Sequence, residues 1–197
     1  MNAPLIGHTI ALADVPSSPW KNGGGITREF IAWPNAQDWV WRLSVAEVQR
    51  NGPFSRFDGV QRWFAVLAGA GVRLTLTDPA QCQSAHALTP HSAPFCFDGA
   101  TPVDCDLLDG ATQDFNLMVR QGQANAHMQR VNGELSHTTA AACTLALYAN
   151  AAPAHFQVGD VQMTVAHHTL HWQSVPAGTA LHVLASDALL LEITPCR

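Results

Sequence analysis

The chain has 197 residues, with 10 basic and 15 acidic side chains, a formal net charge of −5, 13% charged residues and 47% apolar ones. That balance excludes a disordered chain, and at this length roughly 70% of the unfolded surface can be buried without cross-links. A sequence pI near 6.0 without any basic block excludes the electrostatic footprint of a nucleic-acid binder, and no apolar run reaches the ~18 residues that span a bilayer.

Residues 1–4 show neither a basic n-region nor an apolar h-region, so a soluble cytoplasmic protein with no membrane association is expected. Four glutamates and a single lysine leave little to build exposed helix faces, although the abundant alanine leaves room for a helix or two. Alternating apolar and polar residues, broken by turns every ten or so positions, predict an all-β chain. In chain order the strands are expected at 26–33, 39–48, 63–76, 103–108, 115–120, 144–148, 161–167, 181–184 and 188–193. Turns are expected at 22–25, Asn51-Gly52-Pro53, Asp58-Gly59, Asp78-Pro79, Asp98-Gly99, Asp109-Gly110 and Asn132-Gly133, whose residues supply positive or preset φ. The stretch 78–94, with three prolines, reads as a long surface excursion, and the polar then alanine-rich 132–142 reads as a linker. Residues 64–77 align without gaps on 181–194 as strand, tight turn and strand, the turns falling at 69–71 and at Ser186-Asp187. Cys82, Cys96, Cys105, Cys143 and Cys196 are odd in number and form no C-x-x-C pair, so they are read as small buried apolar residues.

Residues 20–29 read Trp-Lys-Asn-Gly-Gly-Gly-Ile-Thr-Arg-Glu. Successive glycines suit a place where side chains would block a turn or a close backbone approach. The amides of Gly23 and Gly24 can form an anion-binding nest beside Lys21 and Arg28; a plain glycine-rich hairpin turn accounts for them equally well. A phosphate loop is excluded, because its lysine follows the glycines and leads into a helix. Farther on, strand period sends Phe115, Leu117 and Val119 to one face and Asp114, Asn116 and Arg120 to the other. It likewise separates Trp39, Trp41, Leu43 and Val45 from Arg42 and Ser44. Such polar faces either meet solvent or, in a closed barrel, point into a cavity. Two arginines in one cavity would favour an acidic small molecule, since the planar fork matches a carboxylate.

Ten histidines call for a metal test. His167, His168 and His171 are the densest group; on a strand His167 and His171 share a face, with no acid nearby and no His-x-His anywhere, so no metal and no other cofactor is expected. No G-x-S-x-G elbow is present and Ser55 sits in a turn without an assigned base, so no catalytic residue is named.

Taken together, residues 20–29, Trp41-Arg-Leu-Ser-Val-Ala46, Gly52-Pro-Phe-Ser55 with Phe57, Gly59-Val-Gln-Arg62, Pro94-Phe-Cys-Phe-Asp-Gly99 and Asp114-Phe-Asn-Leu-Met-Val-Arg120 resemble the HutD/Ves family. The blocks stand in the family's order and cover most of residues 20–120, while the C-terminal third resembles it more loosely. The resemblance implies the cupin superfamily and its RmlC-like jelly roll, duplicated so that two β-barrel halves form one bicupin-like unit over 1–197. The halves are expected at 1–131, which carries the motifs, and at 132–197, which is degenerate. It also implies a bacterial protein without the metal ligands of most cupins, tied to histidine utilisation or stress response. In the HutD branch the implied role is to moderate the pathway by sensing a product such as N-formylglutamate.

Carried over residue by residue, the motifs put Lys21, Asn22, Thr27, Arg42, Ser55, Arg62, Asp114, Asn116 and Arg120 in a ligand pocket, together with Gly23 and Gly24 of the nest. Phe54 and Phe97 are expected as walls, and Trp20, Phe57, Trp63 and Phe95 as core. Gln61 departs from the aspartate that often precedes this arginine in the family, which bears on ligand preference. The leading expectation is a metal-free binder of a small carboxylate-bearing metabolite rather than an enzyme. The alternatives are a cupin-type isomerase, hydrolase or oxygenase, and an interaction module whose low charge content suits an oligomer interface such as a homodimer.

Overall fold

The computed structural model describes residues 7–196. Its elements are strands apart from one 3-10 turn, Leu12–Asp14. They gather into two compact units, one formed by Pro16–Gln121 and the other by the described parts of Met1–Val15 and Gly122–Arg197. The first strand, β1 (His8–Ala11), belongs to the second unit.

The unit Pro16–Gln121 holds β2 (Ser17–Pro19), β3 (Gly25–Trp33), β4 (Trp41–Val48), β5 (Gly52–Pro53), β6 (Val60–Ala68), β7 (Val72–Thr77), β8 (Gln83–Leu88), β9 (Phe95–Asp98), β10 (Val103–Leu107) and β11 (Thr112–Arg120). They form a six-stranded sheet in the order β2-β3-β4-β11-β6-β9 and a four-stranded sheet in the order β5-β10-β7-β8. The stretch 63–76, expected as strand with a tight turn at 69–71, is two strands in different sheets. Gly69 (φ 94°) and Gly71 (φ 112°) divide them, and a Cβ on either would stand 2.6 Å from the Ala111 carbonyl or 2.3 Å from that of Leu88. The surface excursion 78–94 contains the edge strand β8. Between the sheets Val48, Phe64, Val66 and Phe97 meet Val72, Leu74, Leu88, Val103 and Cys105. Burying each larger side chain there contributes roughly 1.5–3 kcal/mol.

The second unit adds β12 (Ala124–Thr138), β13 (Cys143–Ala149), β14 (Ala154–Val158), β15 (Val161–Val165), β16 (Thr169–Val175) and β17 (Ala180–Pro195). Its sheet runs β1-β16-β13-β17-β14-β15, with β12 also paired to β17. Leu145, Leu147, Phe156, Val183 and Leu190 lie in its core. Two expectations change here. Residues 132–138 are not linker but the second half of β12, whose polar side chains are those of a largely exposed strand face. No turn breaks 181–194 either: β17 is continuous, and at the expected turn it carries a bulge, Ser186 and Asp187 standing against the single residue Asn132 of β12. The two aligned segments therefore differ in structure, one split across two sheets and the other a single strand. All five cysteines are free; Cys105 and Cys143 are buried as expected, whereas Cys82 is exposed and Cys96 and Cys196 are half-buried.

Candidate functional site

Register builds the site. On β4, β11 and β6 the pairings align Ala46–Asp114–Val66, then Ser44–Asn116–Phe64, then Arg42–Met118–Arg62. Alternation keeps these three rows on one face, while Leu43, Val45, Phe115 and Leu117 lie buried on the other. Strands about 4.8 Å apart put the Arg42 and Arg62 backbones about 10 Å apart, so two long side chains can enter one space. That space is a cavity of about 620 Å³.

Seven of the expected site residues line it: Lys21, Asn22, Thr27, Arg42, Ser55, Arg62 and Asn116. Phe54 forms a wall, as expected. Ser44, Arg56 and Met118 also line it, as do Trp20 and Phe57, both expected in the core. Trp20 serves both roles, since it packs on the core and donates from Nε1 to Thr27 Oγ1 at 2.7 Å. Four lining side chains, Lys21, Arg42, Arg56 and Arg62, are cationic and none is a carboxylate.

Arg62 is the unusual member. It is 6% exposed, and its guanidinium carbon lies 5.0 Å from the Phe54 ring, 5.1 Å from Phe97 and 5.7 Å from Phe57. Nη2 donates to Asn116 Oδ1 at 3.1 Å and Nη1 to the Ser55 carbonyl at 3.4 Å, while Nε has no partner. Among the described residues no carboxylate stands within ion-pair distance of it. Burial, then the neighbouring Arg42 charge, pull its pKa down to about 10 against a smaller opposing effect of Cys105. A buried cation held by rings and neutral acceptors is the arrangement an incoming anion would relieve. Arg42 differs, being paired with Glu29 at 2.9 Å. Arg56 donates from Nε to the Ala100 carbonyl at 2.9 Å.

Five expected site residues do not line the cavity. Gly23 and Gly24 have spent their amides, on the Trp20 carbonyl at 3.0 Å and on Asn22 Oδ1 at 3.0 Å, so the glycine run closes a turn rather than an open nest. Gly23 takes a positive φ of 68°, and a Cβ on Gly25 would fall 2.2 Å from the Glu47 carbonyl. Asp114 is fully buried beneath the cavity; Oδ2 accepts from Thr112 Oγ1 at 2.8 Å, Oδ1 has no partner, and burial pushes its pKa up to about 7. Arg120, at the end of β11, instead lies 5.2 Å from the Trp39 ring and 3.9 Å from Asp38. Phe97 touches Arg62 from the core without forming a cavity wall. Trp39 lies outside β4, near Arg42 at 5.6 Å, and so departs from the expected alternation. Gln61 pairs with Val119 on the opposite face from Arg62, and does not line the cavity. Phe95 is core and packs on His86 at 4.4 Å. His167 and His168 occupy a turn, with His168 at φ 53°, while buried His171 bonds Thr9 at 2.9 Å. Among the described residues, no three His, Cys, Asp or Glu side chains converge to hold a metal.

Comparison with known proteins bears on this geometry. A family model described as HutD matches residues 12–191. An uncharacterized 21.2 kDa protein in the hutC 3′ region of Pseudomonas putida is 39% identical over 147 residues, 74% of this chain and 73% of that one. Protein Ves of Escherichia fergusonii is 36% identical over 117 residues, 58% of this chain and 59% of Ves. HutD of Pseudomonas fluorescens SBW25, solved in a formate condition, superposes with a TM-score of 0.81 at 29% identity over 98% of this chain and 100% of that one. An oxalate decarboxylase from Lactobacillus farciminis, at 8% identity and a TM-score of 0.67, shares the cupin-like β fold alone. The match over nearly the whole length, from sequence and structure alike, makes this chain a member of the HutD family.

Proposed function

We propose that this chain is a metal-free binding protein that takes up a small carboxylate-bearing metabolite in the cavity of its Pro16–Gln121 unit and thereby moderates histidine utilisation or a stress response. The observation that carries this reading is Arg62, a buried guanidinium with no carboxylate partner among the described residues, opening on a cavity with four cations and no acid. In a chain of net charge −5 such a concentration of positive charge selects a negative ligand. Family membership and the hutC-region relative support the pathway, and N-formylglutamate, with two carboxylates, suits two arginines entering one space. The two compact units support a bicupin reading in which the first half holds the ligand. No helix among the described residues is long and apolar enough to cross a membrane, and the proposed site of action is the cytoplasm.

Thermal shift against N-formylglutamate, glutamate, urocanate and related acids tests the proposal. A ligand at a hundred times its Kd stabilises by about 2.7 kcal/mol, roughly 5–10 °C in a chain of this size. The absence of stabilisation by any of them at millimolar concentration would contradict it.

A further inference from the structure

Asn116 stands where Arg62 would draw an anion. Its Oδ1 accepts from Nη2 at 3.1 Å, and both residues are almost fully buried. The register fixes it beside Ser44 and Phe64, one row from Arg42–Met118–Arg62. The far end of the amide is loosely held: Nδ2 reaches only the Asp114 main-chain carbonyl, at 3.5 Å. The side chain also lines the cavity, so whatever enters meets it and Arg62 together.

The chemistry of a carboxamide in that place is specific. A neutral oxygen satisfies one guanidinium donor while leaving the positive charge uncancelled. A carboxylate on a ligand makes the same bond with charge assistance, and is roughly twice as strong an acceptor. Half a turn of the amide then presents Nδ2, and the displaced group becomes a donor to the carboxylate that displaced it. Aspartate, almost identical in shape, would do neither, because it would neutralise Arg62 permanently. We infer that Asn116 is the specificity-determining residue of the cavity, a neutral seat-holder on Arg62 that a ligand carboxylate replaces and then binds. This assignment rests on the carboxylate-binding reading above.

The experiment combines thermal unfolding of the wild type, Asn116→Asp, Asn116→Leu, Arg62→Met and the Asn116→Asp/Arg62→Met pair, with and without formate or glutarate. Without any anion, Asn116→Asp should melt about 5 °C above the wild type at pH 7.5. The gain should vanish when Arg62→Met is added, because the new carboxylate then faces no cation. Asn116→Leu, similar in size but uncharged, should show no gain. Asn116→Asp should also need at least about tenfold more formate or glutarate than the wild type for half of the stabilisation. A wild type that responds to a carboxylate while Asn116→Asp responds at the same concentration overturns the seat-holder assignment alone. So does a gain that persists without Arg62. A wild type that responds to neither anion overturns the carboxylate reading itself.

Discussion

Each unit of this protein withdraws an arginine largely from solvent, and the two are held in opposite ways. In the second unit Arg130 pairs with Asp187, whose other oxygen accepts from Asn150 Nδ2 at 2.6 Å, and the pair is only 10% and 19% exposed. In the Pro16–Gln121 unit Arg62 has three phenyl rings, an amide and a carbonyl, but no acid among the described residues. That pair sits at a strand irregularity, since Asp187 is one of the two residues of β17 that stand against Asn132 of β12. A buried cation without its counter-ion holds free energy that an incoming anion can recover. The same residue type thus holds an internal ion pair in one unit and, on the proposed reading, meets a ligand in the other.

That contrast can be broken most sharply at Asp187. Asp187→Ala removes the carboxylate that pairs with Arg130 and also takes an acceptor from Asn150 Nδ2, and should cost about 3–5 kcal/mol, read as a drop of roughly 10 °C in Tm. A second test uses pH. The Asp114 carboxyl titrates near 3.8 when unfolded and near 7 when folded. A raised acid favours the folded state while protonated, so its stability is present below about pH 4, is lost as pH rises toward 7, and stays lost above. At about 1.4 kcal/mol per unit the loss is on the order of 4 kcal/mol. Comparing wild type and Asp114→Asn in urea from pH 4 to 8 should show the variant without that slope, and parallel curves would refute the assignment. Arg62→Met should leave stability unchanged or raise it by up to about 2 kcal/mol, while abolishing stabilisation by carboxylates. A collapse like that of Asp187→Ala would mean Arg62 is structural after all. The smallest effect is expected for Glu29→Gln. Its partly exposed pair with Arg42 is worth at most about 1 kcal/mol, so Tm should barely move. Carboxylate affinity should nevertheless rise severalfold as Arg42 is released.

Which of these roles can be read from sequence depends on how local their causes are. Alternation alone put Asp114 and Asn116 on one face and Arg42 and Ser44 on one face, because side-chain period is a property of a single strand. That Arg42 and Arg62 flank Met118 is a matter of pairing of β4 and β6 with β11, which lies far from both in the chain. The rings around Arg62 come from Phe54 and Phe57 in a loop and Phe97 on β9, so their convergence leaves no mark on any one segment. Gly23 and Gly24 were misleading for a physical reason, since a glycine run signals conformational need without saying who accepts its amides. Residues 132–138 misled in the opposite direction, as an exposed strand built from polar residues carries the composition of a linker. Arg120 follows the period of β11 and still leaves the cavity, because the strand ends there and Trp39 offers its ring.

On the proposed reading Arg62 awaits a carboxylate. Isothermal titration of N-formylglutamate into the wild type and Arg62→Met tests it most directly, with the Tm of each recorded alongside. Saturable one-to-one binding to the wild type is expected, with at least about thirtyfold weaker binding to a variant that melts no lower. Equal affinity for both proteins, or no binding heat with the wild type, would contradict it.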